Sequence, residues 1–249
     1  MKTMIKPLSE GDVYETKYSE SYKIVWYIGR DKVLIEFMDE TKHLHWTSKQ
    51  KIISGDFKNP YRKTVFGIGY LGWGRYKTKE GGRDTLEYKT WHGMFRRCYE
   101  RDEAGNNLEV NYQGCEVDQR WHNFQEFARW FCHRKQYGIG WQLDKDITVS
   151  GNRTYSPETC TMLPAQLNNL IVGERLNPRD LPVGVYKDRQ GYGYKAGTGN
   201  IYAGCYRTVE EACEAYKARK EEYIKEVTEG FKDLLDTETY NKLITFKVK

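Results

Sequence analysis

The stretch VGVYKDRQGYGYKAGTGNIYAGCYRTVEEA, residues 183–212, decides the fold of the C-terminal part of the chain. Its apolar and aromatic runs alternate with Gly-rich turns, as in a meander of short antiparallel strands. The predicted strands are residues 183–187, 192–196 and 201–206. Thr208 and Glu211 have the spacing of a capping box, which predicts that a helix begins there. One helix covers one face of such a sheet, so the other face is predicted to be free.

In the predicted middle strand, two adjacent side chains are expected to point to opposite faces of the sheet. Tyr194 and Lys195 are adjacent in the sequence, and successive strand residues point to opposite sides. Tyr194 suits the core beneath the helix, whereas Lys195 has a long stem that reaches a polar partner on the other side. The residues predicted to line the buried face of the helix are Ala212, Tyr216, Tyr223 and Val227.

This C-terminal module resembles the DNA-binding domain of plant ethylene-response factors, which also occurs in phage proteins. The matching residues are Gly-Val-Tyr at 184–186, Tyr-Lys-Ala at 194–196, Ala-Gly-Cys-Tyr at 203–206 and Thr-Val-Glu-Glu-Ala at 208–212. The resemblance implies that the module binds duplex DNA through its sheet. Stacking, phosphate and base-edge contacts are then expected from Tyr186, Arg189, Tyr194, Lys195 and Tyr202.

The central part of the chain carries two apolar stripes with the period of a helix. The stripes are Trp91, Met94, Phe95 and Cys98, then Trp121, Phe124, Phe127 and Phe131, and both are predicted to be core. This region resembles phage HNH-type endonucleases, many of which are homing enzymes. The matching residues are Trp91, Met94, Arg97, Cys98, 114–117, Trp121, Phe124, Phe127, Trp130, Leu143, Asp144, Gly151, Asn152, 155–158, Cys160 and Asn168.

The resemblance implies a ββα-metal site that hydrolyses DNA phosphodiester bonds with Mg²⁺. Asp144 and Asp146 would be the metal ligands, and Asp144, Asn152 and His122 the catalytic residues, with His122 as a substitute general base. Active members carry Asp-His where this chain has Asp144 and Lys145, and Pro-Glu-Asn where it has Pro-Glu-Thr at 157–159. Two interpretations therefore stay open. The chain is a metal-dependent endonuclease, or it is an inactive DNA-binding regulator or anti-defence protein with a nuclease-like fold.

The N-terminal residues 1–60 show short alternating runs separated by turns, which predict a small SH3-like β-barrel. Such a barrel offers a surface for a protein partner. His43 and His45 share one face of a strand, either as a metal-binding pair or as part of a solvated face. The following segment is rich in Gly and basic residues, and Arg75 and Lys77 are predicted to contact the DNA backbone.

Composition limits the classes of function. The chain has 249 residues, a net charge of +5, and 14% aromatic residues including 20 Tyr. This composition permits a nucleic-acid partner. The absence of a long apolar run or a signal-like N-terminus predicts a protein of the host cytoplasm without a membrane partner.

The predicted fold class is α+β, with a small N-terminal β-barrel, a central ββα-like unit with flanking helices, and a C-terminal three-stranded sheet plus helix. The predicted segments are the barrel at 1–60, a Gly/basic linker arm at 61–84, an HNH-like domain at 85–172, a linker at 173–182 and the DNA-binding domain at 183–249.

Overall fold

The computed structural model describes residues 7–29, 32–149, 151–171, 181–188, 191 and 193–248. The chain divides into two units: Met1–Leu108 with Gln119–Arg129, and Glu109–Asp118 with Trp130–Lys249. The fold is α+β, as expected. The predicted linker at 173–182 lies largely outside the described residues, and Arg189 lies outside them as well. The five predicted segments and their boundaries stay predictions.

The first unit begins with an antiparallel sheet of four strands in sequence order. The strands are β1 (Val13–Glu15), β2 (Ser21–Ile28), β3 (Lys32–Phe37) and β4 (Leu44–Thr47). Helix α1 (Lys49–Ser54) follows, capped by the Ser48 hydroxyl and ended by Gly55 at φ 63°. The buried core of this part is Leu8, Tyr22, Ile24, Val33, Ile35, Phe37, Ile52 and Phe57. The alternation read from the sequence therefore identifies the inner face correctly.

The sheet does not form the predicted closed barrel. β1 and β4 are its two edges, and among the described residues no strand pairing joins them. Closure requires the first and last strands to pair in a consistent stagger. Edge strands of three and four residues provide few ladder positions for that pairing. Ile52 and Phe57 instead cover the apolar face from the segment after the sheet.

The rest of the first unit surrounds an aromatic core. It contains the two-stranded hairpin of β5 (Lys79–Glu80) and β6 (Arg83–Asp84), helix α2 (Leu86–Tyr99), a 3-10 helix (Gln119–His122) and the first part of α3 (Phe124–Cys132). The indole Nε1 of Trp91 donates to the carbonyl of Trp121 at 2.7 Å. The predicted apolar stripes are confirmed as core, because all eight side chains are buried.

The second unit contains short strands around a long connection. A 3-10 helix (Val110–Tyr112) precedes β7 (Glu116–Val117), β8 (Gln142–Asp144), β9 (Thr154–Tyr155), β10 (Thr161–Leu163) and α4 (Ala165–Ile171). β8 and β10 pair antiparallel, and β7 pairs with β9 in parallel. In chain order β8 is followed by β9, β10 and α4, and residues 145–160, which include β9, connect the paired strands β8 and β10. The ββα-like character of this unit stays a prediction.

The C-terminal part of the second unit is the predicted three-stranded sheet plus helix. Its elements are β11 (Val185–Lys187), β12 (Tyr194–Thr198), β13 (Ile201–Tyr206), α5 (Val209–Glu229) and α6 (Thr237–Ile244). The capping box of Thr208 and Glu211 is present. Ala212 and Tyr216 are buried as predicted, but Ile224 and Thr228 are buried rather than Val227. The second half of α5 extends past the sheet and contacts α6, which changes the face that is buried.

Candidate nucleic-acid interface

The helix α5 covers one face of the C-terminal sheet. Val185, Ala196 and Ile201 point to the helix and form a buried cluster with Ala212 and Tyr216. The Tyr194 side chain packs partly against the same cluster, whereas Lys195 is exposed. The predicted assignment of Tyr194 and Lys195 to opposite faces is therefore confirmed. Tyr194 consequently lies on the helix side of the sheet and not among the groups of the free face.

The free face of the sheet, formed by Tyr186, Lys195, Tyr202 and Cys205, combines aromatic rings with a cation. Tyr186, Lys195 and Cys205 are direct cross-strand partners in one row. The Lys195 Nζ atom lies 5.4 Å from the Tyr202 ring centroid, and the Tyr202 hydroxyl lies 3.9 Å from the Cys205 Sγ atom. Tyr186 is 39% exposed and Tyr202 is 59% exposed. The hydrogen bond to Cys205 raises the pKa of Tyr202.

Charge is distributed unequally between the two layers of this module. Strands β11, β12 and β13 contain two lysines and no acidic residue. Helix α5 contains seven glutamates and four basic residues. The strands therefore carry net positive charge, whereas the helix carries net negative charge.

Glycine at position 184 is explained by close packing, which the sequence motif alone does not reveal. Gly184 has φ 81°, and a Cβ atom there would lie 2.5 Å from the Tyr216 ring. The residue at 184 must therefore accept a left-handed backbone and leave space for the helix. This contact explains why the Gly-Val-Tyr motif begins with Gly.

The basic arm of the first unit, around Arg75 and Lys77, is anchored by side-chain to backbone hydrogen bonds. The side chain of Gln125 accepts from the backbone N–H of Tyr76 at 3.0 Å and donates to its carbonyl at 3.0 Å. The Thr85 hydroxyl donates to the carbonyl of Lys77 at 2.9 Å. Arg75 and Lys77 are thus held on a segment with fixed backbone hydrogen bonds. Gln125 was not predicted to have this role, since it lies 49 residues from its partner.

In the connection 145–160, the side chains of Lys145 and Asn152 form hydrogen bonds within the connection itself. The Lys145 ammonium pairs with both carboxylate oxygens of Asp146, at 2.7 and 2.8 Å, and donates to the carbonyl of Asn152 at 3.0 Å. Lys145 is only 6% exposed. The Asn152 amide donates to the carbonyls of Lys145 and Thr154, and its oxygen accepts from the Thr154 N–H. These bonds shape the loop.

Asp144 has a similar structural role at the end of β8. Its Oδ1 atom accepts from the N–H groups of Asp146 and Ile147, at 2.9 and 2.8 Å. Burial raises the pKa of Asp144, against the opposing effect of these two hydrogen bonds. One carboxylate oxygen therefore stabilises the turn that follows the strand.

The predicted Mg²⁺ site does not fit this donor arrangement. A cation held by Asp144 and Asp146 would compete with the Lys145 ammonium for Asp146. Among the described residues, no group of three or more His, Cys, Asp and Glu side chains is placed to hold a metal ion. His122, the predicted substitute base, belongs to the first unit, where its ring contacts Phe95 at 6.0 Å and its carbonyl accepts from the Tyr70 N–H.

His43 and His45 lie in an aromatic cluster, so the expectation of a solvated face is wrong. Their rings contact Trp73 at 5.8 and 5.4 Å, and His43 also contacts Tyr61 at 5.0 Å. The His43 Nε2 and His45 Nδ1 atoms are buried without a hydrogen-bond partner. Burial lowers the pKa of both imidazoles.

The outer face of the N-terminal sheet exposes apolar side chains. Trp26, Leu34 and Trp46 form one cross-strand row, and the two indole rings lie 6.0 Å apart. Trp26 and Trp46 are each about half exposed, as are Ile28 and Leu44. A protein partner on this domain stays a prediction.

No helix within the described parts of the chain has both the length and the apolar character needed to cross a membrane. Comparison with known proteins gave no match to a protein-family model, a curated protein or a solved structure.

Proposed function

We propose that the chain binds duplex DNA through the free face of the C-terminal sheet and through the basic arm of the first unit. The observation that carries this proposal is the sheet face of Tyr186, Lys195 and Tyr202, which is left uncovered by α5 and has no acidic residue on its strands. The major groove of B-DNA admits β-strands, and such sheets read it with their exposed side chains. The resemblance to the ethylene-response-factor domain supports the same partner.

The expected contacts are mainly electrostatic and aromatic. Lys195 is the cation at the middle of the face, and Tyr186 and Tyr202 present aromatic surface on the two outer strands. Arg75 and Lys77 on the arm add phosphate contacts from the first unit. Binding of this type falls with salt because it releases counterions from the DNA.

We further propose that the chain binds DNA without cutting it. Lys145 occupies the place of the histidine that active HNH enzymes use, and it pairs with Asp146. Asn152 bonds three backbone groups, and Asp144 bonds two. The Lys145 Nζ atom uses its hydrogen bonds within the protein, on Asp146 and on the Asn152 carbonyl, so it is not directed at a water molecule as a general base would be. The protein is then a regulator or an anti-defence factor.

The second candidate is a Mg²⁺-dependent endonuclease, which is favoured by the antiparallel pair of β8 and β10, the following helix α4, and Asp144 at the end of β8. A plasmid-nicking assay with Mg²⁺ and with Mn²⁺ distinguishes the two candidates. The binding-only proposal predicts no nicking beyond that of the Asp144→Ala variant. Metal-dependent nicking that Asp144→Ala abolishes would establish the endonuclease instead.

The DNA-binding proposal is tested by titrating the full chain with duplex DNA at several salt concentrations. Lys195→Ala is expected to weaken binding uniformly across sequences and to lower the salt slope by about one. Lys225→Ala is the matched control, because it removes the same charge from the exposed surface of α5. Equal effects of the two substitutions, or wild-type binding that ignores salt, would contradict the proposed face.

A further inference from the structure

Helix α2 contains a glycine near its middle that internal packing does not require. A Cβ atom at Gly93 would meet one atom within 4 Å, the terminal Nη1 of Arg97 at 3.7 Å. At Gly69, by contrast, a Cβ atom would lie 3.0 Å from the Trp91 ring, so there the small residue is needed for packing. Glycine in the interior of a helix destabilises the helix relative to alanine. Gly93 therefore carries a cost without a benefit inside the fold.

The surface around Gly93 is basic. On a helix, residues three and four positions away are surface neighbours. The neighbours of Gly93 at these positions are Lys89, Thr90, Arg96 and Arg97. The next residue along this side is Glu100, which caps the helix and is half-buried. The opposite side of α2 holds the buried Trp91, Met94, Phe95 and Cys98.

The charge around this helix favours a polyanion. Residues 57–99 contain ten Lys or Arg and three Asp or Glu, whereas the whole chain has a net charge of only +5. The basic arm ends where α2 begins, since the Thr85 N-cap also bonds the carbonyl of Lys77. A protein helix packed on Gly93 would need apolar neighbours, but the four positions around it are three basic residues and a threonine.

We propose that the partly exposed side of α2 centred on Gly93 is a contact for the sugar-phosphate backbone of duplex DNA. Because Gly93 has no side chain, the DNA backbone can approach helix α2 closely. Lys89, Arg96 and Arg97 border this contact with positive charge. This inference rests on the proposed DNA binding and adds a contact element in the first unit that is separate from the C-terminal sheet.

The test uses the full chain, a generic duplex oligonucleotide and fluorescence anisotropy at fixed salt. Gly93→Ala is expected to raise the melting temperature and yet weaken DNA binding. Gly93→Leu, with a larger side chain, is expected to weaken binding by about tenfold or more, the scale of one lost contact. Ala218→Leu is the matched control, because it adds similar bulk to an exposed position of α5 and is expected to leave affinity unchanged.

The outcomes separate the two proposals. If Gly93→Leu binds as tightly as wild type while Lys195→Ala is weakened, the α2 contact is wrong and the proposed function stands. If wild type shows no salt-dependent DNA binding, both are wrong. Alanine and leucine are better helix formers than glycine, so neither substitution is expected to unfold α2. If a variant lost binding because it unfolded, its melting temperature would fall below that of the wild type. Gly93→Ala binding at wild-type strength with a raised melting temperature would also overturn the contact.

Discussion

The free face of the C-terminal sheet and the connection 145–160 both contain residues that the sequence predicts to act on DNA, but they use their polar side chains differently. On the sheet, Lys195 is exposed beside the Tyr202 ring. In the connection, Lys145 is 6% exposed and bonds Asp146 and the Asn152 carbonyl. The difference shows that a matched residue type indicates a function only where the fold leaves its polar atoms directed outward. A polar side chain with buried partners contributes to structure first.

The largest expected effect tests whether the stability of the C-terminal sheet depends on the close contact of Gly184 with Tyr216 of α5. Gly184→Ala places a methyl group against the Tyr216 ring at a backbone φ of 81°. We expect a loss of about 2–4 kcal/mol in the free energy of unfolding, from overpacking and left-handed strain together. Chemical denaturation measures it. Gly199→Ala, at φ 52° with open space, is the control and should cost about 1 kcal/mol. Equal losses would mean that Tyr216 does not restrict position 184.

An intermediate effect tests the internal role of the connection. Lys145→Ala removes the ammonium from Asp146 and from the Asn152 carbonyl. We expect a loss of about 1–2 kcal/mol in stability, because Lys145 is buried but Asp146 is half exposed and solvated. DNA affinity at fixed salt should stay unchanged. A variant that keeps full stability and loses DNA binding would place Lys145 at the DNA surface and remove the contrast with Lys195.

The smallest expected effect extends the comparison to His43 and His45, whose unpartnered nitrogens are buried. Burial lowers the pKa of both side chains in the folded state below the usual value of 6.5. Above pH 6.5 the two histidines are neutral in both the folded and the unfolded chain. Below pH 6.5 they take up protons in the unfolded chain first, so the free energy of unfolding falls as the pH falls. The thermal unfolding of the wild type between pH 7.5 and 5 should show this decline, and His45→Phe should reduce it. A melting temperature that rises on acidification would contradict the predicted sign.

Much of the fold was predictable because its signals are local. The strands of 183–206, the capping box at Thr208 and the apolar stripe of α2 are confirmed. The failures arose where distant partners decide. The prediction of a closed barrel was wrong because β1 and β4 do not pair. Such pairing depends on the length and stagger of both strands, and the alternation of apolar and polar residues within one strand does not reveal it. The prediction that Val227 lies on the buried face of α5 was wrong because α6 contacts α5 and changes the face that is buried.

The candidate site divides in the same way. The opposite orientation of Tyr194 and Lys195 follows from the period of a strand, which is a property of two adjacent residues. The role of Gln125 does not follow from any local pattern, because its side chain forms hydrogen bonds with Tyr76, 49 residues away in the sequence. Gly93 stands within a helical pattern in the sequence, but only the structure separates its case from that of Gly69. A Cβ atom at Gly93 would meet the flexible end of Arg97 at 3.7 Å, whereas at Gly69 it would meet the Trp91 ring at 3.0 Å.

The sequence by itself therefore determined which segments are helices and strands, which of their faces are apolar, and where basic charge concentrates, because periodicity and composition act over a few residues. The tertiary structure alone decided which of the polar residues are available to a ligand. Lys145 and Lys195 are the same residue type, and they differ in their contacts: the Lys145 Nζ atom bonds Asp146 and the Asn152 carbonyl, whereas the Lys195 Nζ atom lies over the Tyr202 ring. Burial and hydrogen-bond partners depend on the whole fold, since a buried polar group must find its partner wherever the chain supplies one.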